Sequence, residues 1–239
     1  MTLARFKAFA FDCYGTLIDW ETGLQAWLGA WAARRGVARD ADTLVSTFAA
    51  AQRPLQAVRP AMLYRDLLAE ALRRMASGCG VPCPEEDARA FGDSIKDWPA
   101  FPDSRAALAR LKRGHRLLVL SNVDRESFAH SDETLDRIFD AVVTAEDVGA
   151  YKPDARMFEA LLDRLARLGV ARDEVLHVAQ SRFHDIAPAG RLGLATCWID
   201  RRTGKAGRGA AVAPEGPPPV ADFTFRSLAE LADAHDAGA

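Results

Sequence analysis

Short, dense apolar runs alternate along this chain with longer stretches whose apolar residues recur every three or four positions. Phe6-Lys7-Ala8-Phe9-Ala10-Phe11 is too short for an amphipathic helix and reads as a strand ending at Asp12. His115 to Leu120, ending in Ser121-Asn122, reads as a second strand. Ala141-Val142-Val143 makes a third, Val175 to Ala179 a fourth, Ala195 to Ile199 a fifth and Phe223-Thr224-Phe225 a short sixth. Helical periodicity fills the intervals. Ser104 to Arg113 puts Ala107, Leu108 and Leu111 on one stripe before Gly114, and Asp154 to Leu168 does the same before Gly169. Ser227 to Ala234 is a last short helix. Strand–helix alternation of this kind predicts an α/β protein with a Rossmann-like, doubly wound parallel sheet covered on both faces.

One block breaks the alternation. Between about Ile18 and Pro102 the pattern is helix after helix: Glu21 to Arg35, Asp40 to Gln52, Ala61 to Ala76 and Glu85 to Asp97, separated by Gly and Pro. A helical block between the first strand and the rest of a sheet predicts an insertion. The expected division is an α/β core of residues 1–17 and 100–239 with a helical cap of residues 18–99. Residues 201–220, rich in Gly, Pro and Arg, are expected to form a mobile surface loop.

Composition changes this picture little. The 239 residues are 49% hydrophobic and 27% charged with a formal charge of −2, an ordinary globular balance that favours neither nucleic acid nor an anionic membrane as partner. The first apolar run is far shorter than a signal-peptide core or a spanning helix, so the cytoplasm is the expected compartment. Cys79 and Cys83 lack a second Cys/His pair at zinc spacing, and Cys13, Cys79, Cys83 and Cys197 are expected to be reduced thiols.

The chemistry is concentrated at strand ends, where doubly wound sheets bind ligands. The first strand runs into Asp12-Cys13-Tyr14-Gly15-Thr16-Leu17 and the second into Ser121-Asn122. Tyr151-Lys152-Pro153-Asp154 follows the third, and Gln180-Ser181-Arg182-Phe183-His184-Asp185 the fourth. Through these four motifs, in order, essentially the whole chain resembles the haloacid dehalogenase superfamily. The resemblance implies that Asp12 is a nucleophile that splits hydrolysis into ester formation and ester cleavage. Gly15 would allow the turn and Thr16 would orient the aspartate. Ser121 and Asn122 would offer donors to an anionic substrate. Lys152 would keep Asp12 ionised and stabilise an oxyanion, and Asp185 would orient Lys152 or help activate water.

Most members of the superfamily are magnesium-dependent phosphatases with a second acid where this chain has Tyr14, and with Gly-Asp where it has Ala179-Gln180. Both losses remove carboxylates that magnesium prefers and that an alkoxide leaving group needs as acid. Asp12-Cys13-Tyr14-Gly15-Thr16-Leu17 is similar to the first motif of the 2-haloacid dehalogenase branch. That likeness implies a small anionic substrate displaced at carbon, with no cofactor; magnesium belongs only to the phosphatase alternative. Two further alternatives are a hydrolase of another small 2-substituted or cyclic amino acid, and a silent small-acid-binding protein.

The branch uses a cap arginine to receive the halide, and Arg53 and Arg59 are both candidates here. Tyr14, Gln180 and His184 complete the expected substrate-binding set, His184 standing where the branch often carries tryptophan and Phe158 where it often has tyrosine. His115 and His177 are expected to border strands. Arg201-Arg202 is expected to be an exposed turn. Trp20, Trp27, Trp31 and Tyr64 are candidates to roof the pocket, with Trp27 and Trp31 more simply core. Helical caps take part in dimers in this branch, so a homodimer is expected.

Overall fold

A strand of uninterrupted apolar residues needs cover on both faces, and β1 (Ala8–Phe11) is buried at every position. From β1 the chain runs through α1 (Trp20–Arg35), α2 (Ala41–Leu55), α3 (Tyr64–Gly78), α4 (Glu85–Gly92) and α5 (Ser104–Lys112), and returns to the sheet as β2 (Arg116–Ser121). Then follow α6 (Arg125–Thr134), β3 (Ala141–Thr144), α7 (Ala145–Val148), α8 (Ala155–Arg167) and β4 (Val175–Ala179). The chain closes with α9 (Ala187–Arg191), β5 (Ala195–Ile199), β6 (Phe223–Phe225) and α10 (Leu228–Ala237). This computed structural model describes residues 2–58, 61–204 and 217–238. Arg59 and most of the Gly-, Pro- and Arg-rich stretch expected to be a loop therefore lie outside the described residues.

The six strands are all parallel, in the order β3-β2-β1-β4-β5-β6. β1 lies between β2 and β4, with Phe11 opposite Val119 on one side and Val178 on the other. The chain winds outward from β1 in both directions, so the switch point falls at the carboxyl end of β1, where a crevice opens. All six expected strands form, and the doubly wound α/β expectation holds.

Between β1 and β2 the described residues form helices joined by turns, with isolated bridges at Tyr14, Ile18 and Ala100. Trp31 and Phe48 are fully buried in this block, and the indole of Trp31 donates to Asp87 Oδ2 at 3.0 Å. Phe91 packs against Trp27 and Phe48. The expected helix from Glu85 to Asp97 is α4 followed by a 3-10 turn over Asp93–Asp97.

At the opposite end of the sheet α10, which packs on α5, is tied by a histidine pair to the residue before β2. His115 Nδ1 lies 2.9 Å from the Phe6 carbonyl and His115 Nε2 lies 2.7 Å from His235 Nε2. Burial, and then the neighbouring His235, push His115 below the ordinary histidine value. A depressed histidine favours the unfolded state once protons bind, so this contribution is intact above about pH 6.5 and is lost as pH falls. Urea midpoints should accordingly fall between pH 7 and pH 5.5, and His115→Gln should flatten that slope. An unchanged slope in the variant would remove the pair from the account.

Candidate active site

The turn after β1 is built to present Asp12. Its backbone N–H donates to the Val178 carbonyl at 3.0 Å, which ties the end of β1 to β4. The Cys13 carbonyl then accepts from the N–H groups of Thr16, Leu17 and Ile18, curling the chain back. Gly15 sits at φ +95°, and a Cβ there would fall 3.1 Å from Trp20 Nε1 and 3.2 Å from Gln180 Oε1. The positive φ calls for glycine, and a side chain there would also press on those two neighbours. The Thr16 hydroxyl donates to Asp12 Oδ2 at 2.7 Å and accepts from the Gln180 N–H at 2.9 Å, so its single proton is committed to the carboxylate.

Lys152, 2% exposed, reaches the same point from the loop before α8. Its ammonium donates to Asp12 Oδ1 at 2.8 Å, Asp185 Oδ1 at 2.8 Å and the Leu120 carbonyl at 2.7 Å, which uses all three protons. Asn122 fixes that loop: its amide donates to the Lys152 carbonyl at 3.1 Å and accepts from the Lys152 N–H at 2.6 Å. Asp185 Oδ1 also accepts from His177 Nε2 at 2.9 Å.

Two buried carboxylates thus share one ammonium. Burial pushes Asp12 above the usual carboxylate value, opposed by Lys152 and reinforced by Asp185. Burial acts on Asp185 in the same upward sense, but Lys152 and His177 outweigh it and hold that group down at about 2. Burial alone would lower Lys152, yet the two aspartates raise it. Each carboxylate has two side-chain donors, but those on Asp12 do not offset its burial and the neighbouring Asp185, so Asp12 is the more basic of the two.

A small cavity of about 90 Å³ opens beside this cluster. The core supplies Asp12, Tyr14, Asn122, Val123, Lys152, Ser181, His184 and Asp185, and the helical block supplies Trp20, Gln52, Gln56 and Tyr64. The Tyr14 hydroxyl is 2.7 Å from Ser131 Oγ. Burial, above all, and hydrogen bonding through the Ser181–His184 turn shape the last wall. Ser181 Oγ accepts from the His184 N–H at 3.0 Å, and burial lowers the His184 imidazole to about 4, so it is neutral at neutral pH.

The structure places several of the expected residues away from the cavity wall. Ser121 is fully buried and Gln180 lies behind the turn, its carbonyl bonded to the Trp198 indole; neither lines the cavity. Arg53 is exposed and is not part of the cavity wall, where Gln52 and Gln56 stand, yet its charge reaches the site and helps to lower His184. Of the aromatic candidates, Trp20 and Tyr64 reach the cavity while Trp27 and Trp31 do not. His177 does not border its strand but sits buried within β4.

Arg201 is not an exposed turn residue. It donates to the Thr16 carbonyl at 2.8 and 3.1 Å and to both oxygens of Asp103, whose Oδ2 in turn accepts from the first N–H groups of α10. The turn after β1, α5 and α10 are thereby locked together. An arginine two residues beyond a strand end was the available signal for it.

The donor set does not fit a divalent cation, which asks for a cage of oxygen ligands. Among the described residues Asp12 and Asp185 are the carboxylates that line the cavity, and one oxygen of each is committed to Lys152. Among the described residues no group of three or more His, Cys, Asp or Glu side chains could hold a metal. No described helix is long and apolar enough to cross a membrane.

Fold and site together define a Rossmann-like α/β enzyme core with an aspartate–lysine–aspartate centre at the switch point. The family model for haloacid dehalogenase-like hydrolases matches residues 6–193, and the chain belongs to that family. It is 26% identical to (S)-2-haloacid dehalogenase H-109 of Pseudomonas putida, over 95% of this chain and 96% of that one. It is 34% identical to (S)-2-haloacid dehalogenase 4A of Burkholderia cepacia, where the match spans 49% of this chain and about half, 52%, of that enzyme. The solved structure of L-2-haloacid dehalogenase from Xanthobacter autotrophicus with chloropropionic acid covalently bound superposes with a TM-score of 0.80. That likeness, at 20% identity over 98% of this chain and 100% of the other, is one of fold.

Proposed function

We propose that this hydrolase displaces halide from small 2-haloalkanoic acids through an ester on Asp12, without metal, and releases 2-hydroxy acids. Asp12 Oδ attacks the carbon bearing the halogen, the carbon–halogen bond breaks with its electron pair leaving on halide, and an aspartyl ester forms. Water then adds to the Asp12 carbonyl carbon, the ester bond breaks, and the hydroxy acid and one proton leave. The helices α1 to α4 act as the cap of this pocket. The observation that carries the reading is an aspartate held by one hydroxyl and one ammonium, with tyrosine and glutamine where an acid for a poorer leaving group would stand. Halide needs no proton to depart, so the missing acids cost this reaction nothing.

Similarity to named haloacid dehalogenases over most of the chain supports the same substrate class, as does the covalent adduct named for the Xanthobacter enzyme. Gln52 and Gln56 favour keeping a second substrate class in view, since two amides on the cavity wall suit other small 2-substituted acids or a cyclic amino acid opened by the same attack. A single turnover in heavy-oxygen water should place the label in the Asp12 side chain, read by peptide mass spectrometry, with halide release unaffected by chelator. Label found in product alone would rule out the ester, and turnover abolished by chelator with phosphate released from a small ester would replace this reading with the phosphatase one.

A further inference from the structure

We infer that His177 is a positioning residue for the second half of the reaction, holding Asp185 so that one oxygen serves Lys152 and the other is left to take a proton from water. The inference rests on the ester route proposed above. Asp185 Oδ1 receives both Lys152 Nζ at 2.8 Å and His177 Nε2 at 2.9 Å, while Oδ2 has no hydrogen-bond partner among the described residues. An ionised carboxylate only accepts, so His177 donates from Nε2. Nδ1 is likewise buried without a partner among the described residues, beside the Phe158 ring at 5.5 Å between centroids.

A histidine in the middle of a fully buried parallel strand is a local rule broken, because desolvating an imidazole with one unmet nitrogen is unfavourable. Such violations are expected where function maintains them. The geometry supplies that function. With Asp12 esterified, Asp185 is the only carboxylate left on Lys152, and without a second donor its torsion would be free to turn both oxygens toward the ammonium. His177 fixes Oδ1, which leaves Oδ2 as the acceptor. Water gives one proton to Asp185 Oδ2 and its hydroxide adds to the Asp12 carbonyl carbon. The bond to the substrate oxygen breaks, the alkoxide takes the proton of the newly formed carboxyl group, and the proton on Asp185 leaves to solvent. Lys152, Asp12, His177 and His184 are the titratable groups facing Asp185 in this step.

The test uses His177→Phe and His177→Gln in the full chain, since phenylalanine keeps the ring volume without a donor and glutamine offers an N–H on a similar reach. His177→Phe should lower kcat on a 2-halo acid by about 10- to 100-fold with KM little changed. Halide should appear in a burst and the Asp12 ester should accumulate, visible by mass spectrometry. The acid limb of the slow step should move to higher pH, because Asp185 loses a donor. His177→Gln should recover most of the rate. Wild-type kcat without ester accumulation in His177→Phe, or a folded His177→Gln as slow as His177→Phe, would overturn the inference. Nitrogen-15 imidazole spectra of the parent chain give a reading independent of substrate: a proton on Nε2 is required, and the opposite tautomer also overturns it. Failure of the ester route itself would show separately, as absence of label in Asp12 of the parent chain.

Discussion

Asp12→Asn should lower kcat by at least about four orders of magnitude while leaving the urea midpoint at or above that of the parent chain. The loss follows from the role: an amide oxygen is a poor nucleophile, and Thr16, Lys152 and Asp185 have nothing else to activate. Retained stability follows from the charges. In the parent chain two buried carboxylates share one ammonium at 2.8 Å each, an arrangement one negative charge in excess when His177 is neutral. Burial and the neighbouring Asp185 both raise Asp12, which marks it as the unfavourable member of the set. An asparagine can keep its oxygen on Lys152 and donate its N–H₂ to the Thr16 oxygen, which removes the surplus charge at the smaller cost of the acceptor for the Thr16 proton. Lys152 and Asp185 then form a neutral pair. A residue whose removal abolishes the reaction and does not weaken the fold is held there for chemistry. Measurable dehalogenation by Asp12→Asn, or a large fall in its urea midpoint, would contradict that assignment.

How much of this was legible in the sequence depended on whether burial and polarity agreed. Phe6 to Asp12 and Val175 to Ala179 read correctly because a buried parallel strand must be apolar almost throughout, and the first polar residue beyond it marks the edge that faces the crevice. Lys152 was found through its motif, yet its distance from Asp12 in the chain hid the contact that gives both their properties. α6 was missed because two of its three buried positions are Ser127 and Ser131, so it has no apolar stripe. Those serines are buried because Tyr14 bonds to one of them and Asp124 caps the other.

His177 was misread for the opposite reason. Lying among apolar neighbours, it looked like a strand border, and only its partner eight positions on reveals why it is inside. Gln52 and Gln56 were invisible because an amide on a helix is ordinarily a solvated residue, and nothing local says that this face of α2 closes over Asp12. Arg201 was likewise read by composition, whereas its partners, Thr16 and Asp103, are far away in the chain. Pattern reading found the groups that recur at strand ends; groups defined by long-range contact needed the fold.

Lys152→Met should be the most damaging single change to the site, because it strikes activity and stability together. The methionine matches the lysine stem but leaves Asp12 and Asp185, at 6% and 0% exposure, facing each other with no cation. Removing one partner of a buried ion pair costs about 3–5 kcal/mol, against the smaller cost of removing both. One of the two carboxylates must then bind a proton in the folded state at a pH where the unfolded chain holds none. The folded value is raised above the unfolded one, so stability is present at low pH and is lost as pH rises through the new, higher value. The variant should therefore unfold at lower urea at pH 8 than at pH 5, the reverse of the acid weakening expected from the His115 pair. Its kcat should fall by about 10³-fold or more, since the oxyanion of the ester-cleavage step loses its only ammonium and Asp12 is held partly protonated. Lys152→Arg should not rescue it, because a planar guanidinium does not fit a site whose three acceptors surround one nitrogen at 2.7 to 2.8 Å. Lys152→Met with Asp185→Asn removes charge from both sides and should regain much of the stability while remaining inactive. If that double variant is no more stable than Lys152→Met alone, repulsion between the two carboxylates is not what the ammonium relieves.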